Sequence, residues 1–241
     1  MPPHYNIRQA RGMTLIELLT VVTIIGILVA ILIPVVGKMR ASARQTQCTV
    51  NMRQLGIAVH LYVADNRQRL PYGYWTKKPE DGGGTTTWDG AITPYFGDTR
   101  KSSLQCPSDD LPISPPVRRR TYSMIRAGQG GVGKTGNLTE KAPSGVAISS
   151  LESLAQTAMF TERSSSKATG QSSDNYIGGS AACVIDSPKN QVNEGKGLSL
   201  HGGRFNYLFV DGHVKSYRPE ETIGTGTMDA PKGIWTIASG D

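Results

Sequence analysis

The hydrophobic pattern of the chain begins with one long run that carries no charge. Between Leu18 and Gly37 there is no Asp, Glu, Lys or Arg. This run is about 20 residues long, and at about 1.5 Å per residue a helix of that length crosses a hydrocarbon core of about 30 Å. The sequence therefore predicts a membrane-spanning helix near the N-terminus.

A second pattern follows Pro34, where apolar positions keep helical spacing. Successive members of the stripe are separated by four, three, four and three positions: Cys48, Met52, Leu55, Val59 and Tyr62. This spacing predicts that the helix continues to residue 66 and lays one face on a globular domain. Pro34 lacks a backbone N–H, so a kink is predicted there.

The remainder of the chain reads as short strands joined by long loops. Strands are predicted over Tyr122–Ile125 and Ala158–Glu162, and a helical turn over residues 150–155. Residues 204–217 predict a β-hairpin with a type I′ turn at Asp211-Gly212. The predicted fold is α+β: a long N-terminal helix, transmembrane in its first half, packed on an antiparallel β-sheet with long loops.

Composition narrows the class of partner. The formal net charge of +7 is mild for 241 residues, and Lys and Arg are scattered along the chain. No nucleic-acid partner is expected from this distribution. The run of three arginines at residues 118–120 follows a proline-rich turn and is expected to be a solvated loop.

Glu17 helps to decide whether the apolar run is a secretory signal peptide, a plain membrane anchor or a helix that assembles with others. A secretory signal peptide has a shorter apolar core, and a plain anchor gives no reason for a carboxylate at its mouth. Such a carboxylate costs about 2.5–3.5 kcal/mol in the bilayer and usually has a partner. Cleavage between Gly12 and Met13 would create an α-ammonium four residues before Glu17, or near the Glu17 of a neighbouring subunit.

The residues around that bond carry a resemblance to a known family. Residues 11–17 read Arg-Gly-Met-Thr-Leu-Ile-Glu, which resembles the processing motif of type IV prepilins and type II secretion pseudopilins. The resemblance implies that prepilin peptidase cuts after Gly12 and N-methylates Met13. It also implies that Glu17 guides assembly, although phenylalanine is commoner than methionine at position 13.

The resemblance divides the chain into four parts. Residues 1–12 would be the leader peptide, and residues 13–37 the transmembrane and assembly helix. Residues 38–66 would continue this helix as an amphipathic segment, and residues 67–241 would form an extracytoplasmic β-rich domain. The expected location is the inner membrane, crossed once, and an extracellular filament is the second location that the resemblance allows.

A second resemblance lies near the C-terminus. His201, nine residues, and then Asp211-Gly212 match the H-X9-DG signature of a planctomycete-type subfamily of pilin-like proteins. Residues 48–56 and 104–109 fit the same subfamily. Cys48 and Cys106 lie in these two segments. They either form a disulfide with each other or remain two buried thiols, and the sequence leaves both alternatives open.

Other candidate sites compete with structural readings. His201, Asp211 and His213 suit a metal, but Asp211 serves the turn, so no metal site is predicted and His201 is expected to bond to backbone. Asp174 and Asp186 are scattered candidates for calcium and give no site.

A third function class would be a nucleotide-dependent enzyme. Residues 128–135 match the P-loop pattern GxxxxGK[ST]. They are instead expected to form a glycine loop, because too few apolar residues follow for a packed helix. No catalytic residue and no cofactor is predicted.

The function predicted is a structural subunit, a pilin or pseudopilin, of a type IV pilus-like or type II secretion-like filament. Its expected partners are prepilin peptidase, other pilin subunits, the assembly platform and the inner membrane. The alternative is a membrane-tethered extracytoplasmic binding or adhesion domain that does not polymerise.

Overall fold

The structure is a computed structural model of the chain, and it falls into two compact units. The units are Met1–Ser42 and Ala43–Asp241. The residues that the structure describes are 13–77, 83–96, 104–109, 119–136, 145–163, 183–194 and 200–237.

Helix α1 runs over Leu15–Asp65 and contributes to both units. In the first unit its apolar side chains are exposed, and the stretch is long and apolar enough to cross a membrane. Thr20 Oγ1 donates to the Glu17 carbonyl at 3.0 Å and Thr23 Oγ1 to the Leu19 carbonyl at 2.8 Å. Lipid tails offer no hydrogen-bond partner, so these bonds to backbone carbonyls satisfy the two hydroxyls within the helix. Pro34 lies inside the helix, and its kink stays a prediction.

In the second unit α1 buries one face. Cys48 is the first buried residue of the helix, and the predicted stripe is fully buried from Cys48 to Val59. Gly56 lets the helix approach the sheet, because a Cβ at this position would lie 3.2 Å from Leu208 Cδ1. The predicted packing of an amphipathic helix on a β-sheet is confirmed.

Two sheets form from the short strands. The larger has the order β6-β3-β5-β7-β8, with β3 at Tyr122–Ile125, β5 at Ala158–Glu162, β6 at Val184–Ile185, β7 at Phe205–Phe209 and β8 at Val214–Tyr217. The smaller has the order β2-β1-β4, with β1 at Tyr74–Thr76, β2 at Thr85–Thr87 and β4 at Thr135–Gly136. Short helices α2 and α3 span Trp88–Ile92 and Pro188–Glu194.

Strand direction refines the sequence prediction. The pairs β3–β5, β5–β7 and β7–β8 are antiparallel. The pairs β3–β6 and β1–β4 are parallel. The fold is α+β and pilin-like, and its antiparallel centre carries a parallel strand at one edge.

Strand β7 is buried on both faces. Phe205, Tyr207 and Phe209 pack into one cluster with Trp235, whereas Leu208 packs into the cluster that contains the buried face of α1. Because the side chains of a strand alternate in direction, the sheet has a helix on one face and the C-terminal segment around Trp235 on the other. Two covered faces explain why no residue of β7 reaches solvent.

The turn between β7 and β8 differs from the prediction. Gly212 has a φ of 93°, but Asp211 does not have a positive φ, so a type I′ turn is wrong. The Gly212 N–H donates to the Phe209 carbonyl and the Phe209 N–H to the His213 carbonyl, both at 2.9 Å. Three residues, 210–212, lie between the hydrogen-bonded residues Phe209 and His213, and of these three only Gly212 has a positive φ.

Candidate functional site

Three parts of the subfamily resemblance, namely Cys48, Cys106 and the first residue of the H-X9-DG signature, His201, meet at one buried place in the second unit. Cys48 of α1 forms a disulfide with Cys106, which lies in the described loop 104–109. Both cysteines are fully buried. His201, from the loop before β7, lies beside them, with Nε2 3.4 Å from Cys106 Sγ.

His201 bonds to a carboxylate. Its Nε2 lies 3.1 Å from Glu162 Oε1, and both side chains are at most 2% exposed. The partner found for Nε2 is thus a side chain, and the expected bond of His201 to backbone stays a prediction. Glu162 is the last residue of strand β5. Strand β5 lies next to β7 in the sheet, and His201 lies in the loop before β7, so the two side chains can meet. Together Cys48, Cys106, Glu162 and His201 place one ligand atom each within 4.8 Å of one another.

Asn206 holds Glu162 in place. Its backbone N–H donates to Glu162 Oε2 at 2.8 Å, and its Nδ2 donates to Oε1 at 3.1 Å. Gln191 Nε2 donates both to Thr161 Oγ1 and to the backbone carbonyl of Glu162. The carboxylate is thus oriented by fixed donors, as a buried carboxylate requires.

The loop that carries Cys106 is fixed by several contacts. Asn51 Nδ2 on α1 donates to the Gln105 carbonyl at 2.9 Å. The Cys106 N–H donates to Thr121 Oγ1 at 3.0 Å, and the Tyr122 hydroxyl donates to the Cys48 carbonyl. Burial, with help from the Glu162 charge, holds the pKa of Tyr122 well above its ordinary value.

Two arginines expected in a solvated loop are buried. Arg119 is 4% exposed and pairs with Asp109, and Arg120 is fully buried and pairs with Asp89 at 2.6 Å. Arg120 also lies over the ring of Trp88, 5.4 Å from its centroid. The prediction of a solvated run is wrong for these two residues, because each guanidinium finds a buried carboxylate. Residue 118 lies outside the described residues.

The other proposed ligands do not join this cluster. Asp211 Oδ1 accepts from the His213 N–H at 3.1 Å and lies 2.7 Å from its Nδ1, at the exposed hairpin. Asp186 forms a two-point ion pair with Arg126 and accepts the Gly128 N–H. Burial opposes ionisation of Asp186, but these bonds keep its pKa below the ordinary value. Asp174 lies outside the described residues.

The P-loop match lacks the geometry of a phosphate site. Five of its amide N–H groups already bond within the protein: those of Gly128, Gly130, Gly131, Gly133 and Lys134. Thr135 then enters strand β4 rather than a helix. A phosphate cradle needs open amides at a helix N-terminus, so this glycine loop has a structural role.

At the N-terminal end of α1, Thr14 and Glu17 form a capping box. The Thr14 N–H and hydroxyl both donate to Glu17 Oε2 at 2.8 Å, and the Glu17 N–H bonds to Thr14 Oγ1 at 3.3 Å. The sequence predicted the amino group of a cleaved Met13 as the partner of Glu17 and did not indicate Thr14. Gly12 lies outside the described residues, and Met13 is exposed.

Comparison with known proteins adds two family matches. Residues 7–33 match the prokaryotic N-terminal methylation motif. Residues 37–101 match a family described as protein of unknown function, DUF1559. No curated protein and no solved structure matches the chain significantly. The first match covers the sites at Gly12, Met13 and Glu17, and the second covers Cys48 and the packed part of α1.

Proposed function

This chain is a type IV pilin-like protein, and from that premise we propose that it is a structural subunit of a type IV pilus-like or type II secretion-like filament. Prepilin peptidase cuts the precursor between Gly12 and Met13 and methylates the new amino group of Met13. Pilin-like families are structural proteins rather than enzymes, which supports this proposal.

The observation that carries this proposal is the methylation motif at residues 7–33, placed directly on an uncovered apolar helix. Leu15, Ile16 and Ile33 are 83%, 70% and 68% exposed. Exposing such apolar surface to water costs a free energy of about 25 cal/mol per Å². Lipid covers it in the precursor, and the helices of other subunits cover it in a filament.

Glu17 gives the filament its register. In the precursor its carboxylate is satisfied by Thr14, as the capping box shows. Cleavage adds a positive charge at Met13, and in a bundle of helices the Met13 amine of one subunit meets the Glu17 of its neighbour. The pair is strong because the surroundings are apolar.

The second unit is proposed to lie outside the cytoplasm. Its disulfide between Cys48 and Cys106 supports this location, because disulfides persist in oxidising compartments. The platform of the pilus or secretion system then extracts α1 from the inner membrane. Pro34 leaves one backbone carbonyl of α1 without its amide partner, which permits bending in the filament.

Intact mass and N-terminal peptides of the protein from membranes test the processing step. The expected species begins at an N-methylated Met13. A full-length chain, or a chain that begins beyond the apolar run, contradicts the proposal and favours a tethered or secreted domain.

Three variants separate the charge of Glu17 from its capping role. Glu17→Gln keeps the capping box but removes the charge, whereas Thr14→Ala removes the cap and keeps the charge. Glu17→Ala removes both. Filament incorporation is expected to fail for both Glu17 variants and to persist for Thr14→Ala. Normal incorporation of Glu17→Gln would favour a domain that is tethered to the membrane and does not polymerise.

A further inference from the structure

The buried cluster offers four ligands of the type that zinc prefers. Cys48, Cys106, His201 and Glu162 supply two sulfur atoms, one imidazole nitrogen and one carboxylate oxygen. We propose that the dithiol form of this protein binds one Zn²⁺ at these four side chains, and that the disulfide form does not. Zinc in structural sites takes four such ligands in a tetrahedron.

The spacing of the ligands fits this geometry. Ligands at about 2.0–2.3 Å from a tetrahedral zinc lie about 3.3–3.8 Å from each other. His201 Nε2 lies 3.4 Å from Cys106 Sγ and 3.1 Å from Glu162 Oε1. Two edges of the tetrahedron are therefore close to their final length. Cleavage of the S–S bond frees the two sulfur atoms to form the remaining edges.

The four side chains are buried and held in place by their surroundings. All four side chains are at most 2% exposed, and they come from α1, the loop 104–109, β5 and the loop before β7. Asn206 orients the Glu162 carboxylate: its backbone N–H donates to Oε2, which does not contact His201, and its Nδ2 donates to Oε1. Hydrogen bonds of this kind, from a residue that does not itself touch the metal, fix a ligand and raise its affinity for the metal.

Charge explains why thiolates at this site require a cation. The disulfide is neutral, so in the oxidised protein the cluster holds only the His201–Glu162 pair. Without a metal the reduced cysteines stay neutral thiols, because two thiolates beside the Glu162 carboxylate would concentrate negative charge among buried side chains, which is very costly. Zn²⁺ removes this cost, and its binding displaces the two thiol protons into solvent. The same two cysteines can therefore either form the disulfide or bind zinc, but not both at once.

The chemistry balances with named reagents. A trialkylphosphine and water convert the disulfide to two thiols and a phosphine oxide, and Zn²⁺ then replaces the two thiol protons. In the cell the newly made chain begins as the dithiol, so zinc competes with oxidation at this stage.

The test uses the full chain in detergent. The protein is unfolded with denaturant and a trialkylphosphine, refolded with Zn²⁺ alone as probe, and passed over a desalting column. Zinc per chain is then measured by elemental mass spectrometry. We expect one zinc per chain after reduction and none in the oxidised protein. No zinc in the reduced protein would overturn the proposal.

Variants assign the ligands. His201→Gln and Glu162→Gln are expected to weaken zinc binding about 10-fold or more, since even the loss of a residue that only hydrogen-bonds to a ligand costs that much. His213→Gln is the matched control, because this histidine is at the exposed hairpin, and it should bind zinc like the wild type. Equal affinity in His201→Gln would contradict the assignment of His201.

A second measurement does not depend on the folding of any variant. Co²⁺ is added to the reduced wild-type protein and its visible spectrum is recorded. Tetrahedral d–d bands with a thiolate charge-transfer band, both lost on oxidation to the disulfide, are expected. A spectrum like that of hydrated Co²⁺ would overturn the proposal.

Discussion

His201 Nε2 lies 3.1 Å from Glu162 Oε1, and both side chains are shielded from solvent. This contact joins the first residue of the H-X9-DG signature to the end of strand β5, which lies outside the signature. The Asp211-Gly212 half of the signature forms the hairpin turn instead. The two halves of the signature therefore have different structural roles, one in the interior and one at the surface.

Glu162→Ala should strongly destabilise the second unit. The change leaves His201 and both Asn206 donors buried without their acceptor, and each unsatisfied group costs about 1–3 kcal/mol. A loss of about 3–5 kcal/mol is expected in the free energy of unfolding, measured with denaturant on the full chain in detergent. Glu220→Ala is the exposed control and should change stability by less than about 0.5 kcal/mol.

Replacement of Cys48 and Cys106 by alanine should lower stability through the unfolded state. The disulfide closes a loop with a sequence separation of 58 residues, which the chain-entropy model values at about 4 kcal/mol. Denaturant unfolding of the oxidised protein and of the double variant measures this difference. On gels without reductant the wild type should migrate faster than the double variant, and equal mobility would argue against the disulfide.

Cys183 should resist alkylation in the folded protein. This cysteine is buried and free, and burial raises the pKa of its thiol to about 12. The thiol therefore stays protonated at pH 8, and the thiolate is the reactive form. Mass spectrometry after iodoacetamide treatment should show labelling of Cys183 only when denaturant is added. Rapid labelling of the folded chain at pH 8 would contradict this burial.

Asp89→Asn should destabilise the protein more than the double variant Asp89→Asn with Arg120→Met. The single change leaves Arg120 buried beside an uncharged amide, at a cost of about 3–5 kcal/mol, whereas the double change removes the buried charge. A double-mutant cycle in denaturant measures the coupling. Additive effects of the two substitutions would show that the pair contributes nothing.

Gly212→Ala tests the hairpin. Gly212 has a φ of 93°, and a Cβ there would lie 3.5 Å from His60 Nε2. A left-handed conformation costs a non-glycine residue about 1–3 kcal/mol. Gly90→Ala is the matched control, because Gly90 lies in helix α2 with open space around its Cβ position. That control should be neutral or slightly stabilising by thermal melting.

Local pattern was sufficient to predict much of the fold. The stripe from Cys48 to Tyr62 predicted the packed helix face, and strands β3 and β5 have the bounds that the sequence predicted. These features depend on neighbours in sequence, so periodicity reveals them. The hairpin was also visible, but its turn type depends on one extra residue in the loop.

Long-range partners were not predictable from the same patterns. Arg119 and Arg120 look like surface charges in sequence, yet each meets a carboxylate 10 and 31 positions away. Glu162 looks like the polar end of a strand, and its partners His201 and Asn206 lie 39 and 44 positions downstream. Only the pairing of β5 with β7 brings these groups together.

The position of Cys48 has a mechanical consequence. It is the first buried residue of α1, and its covalent bond leads to the loop of Cys106 beside the sheet. Tension applied to the N-terminal end of the helix therefore reaches the second unit first at a covalent link rather than at packed side chains. The load then passes into the sheet through Thr121, which holds the Cys106 amide and precedes β3. Peeling the helix from the sheet under force requires the core to rupture together, instead of one turn at a time.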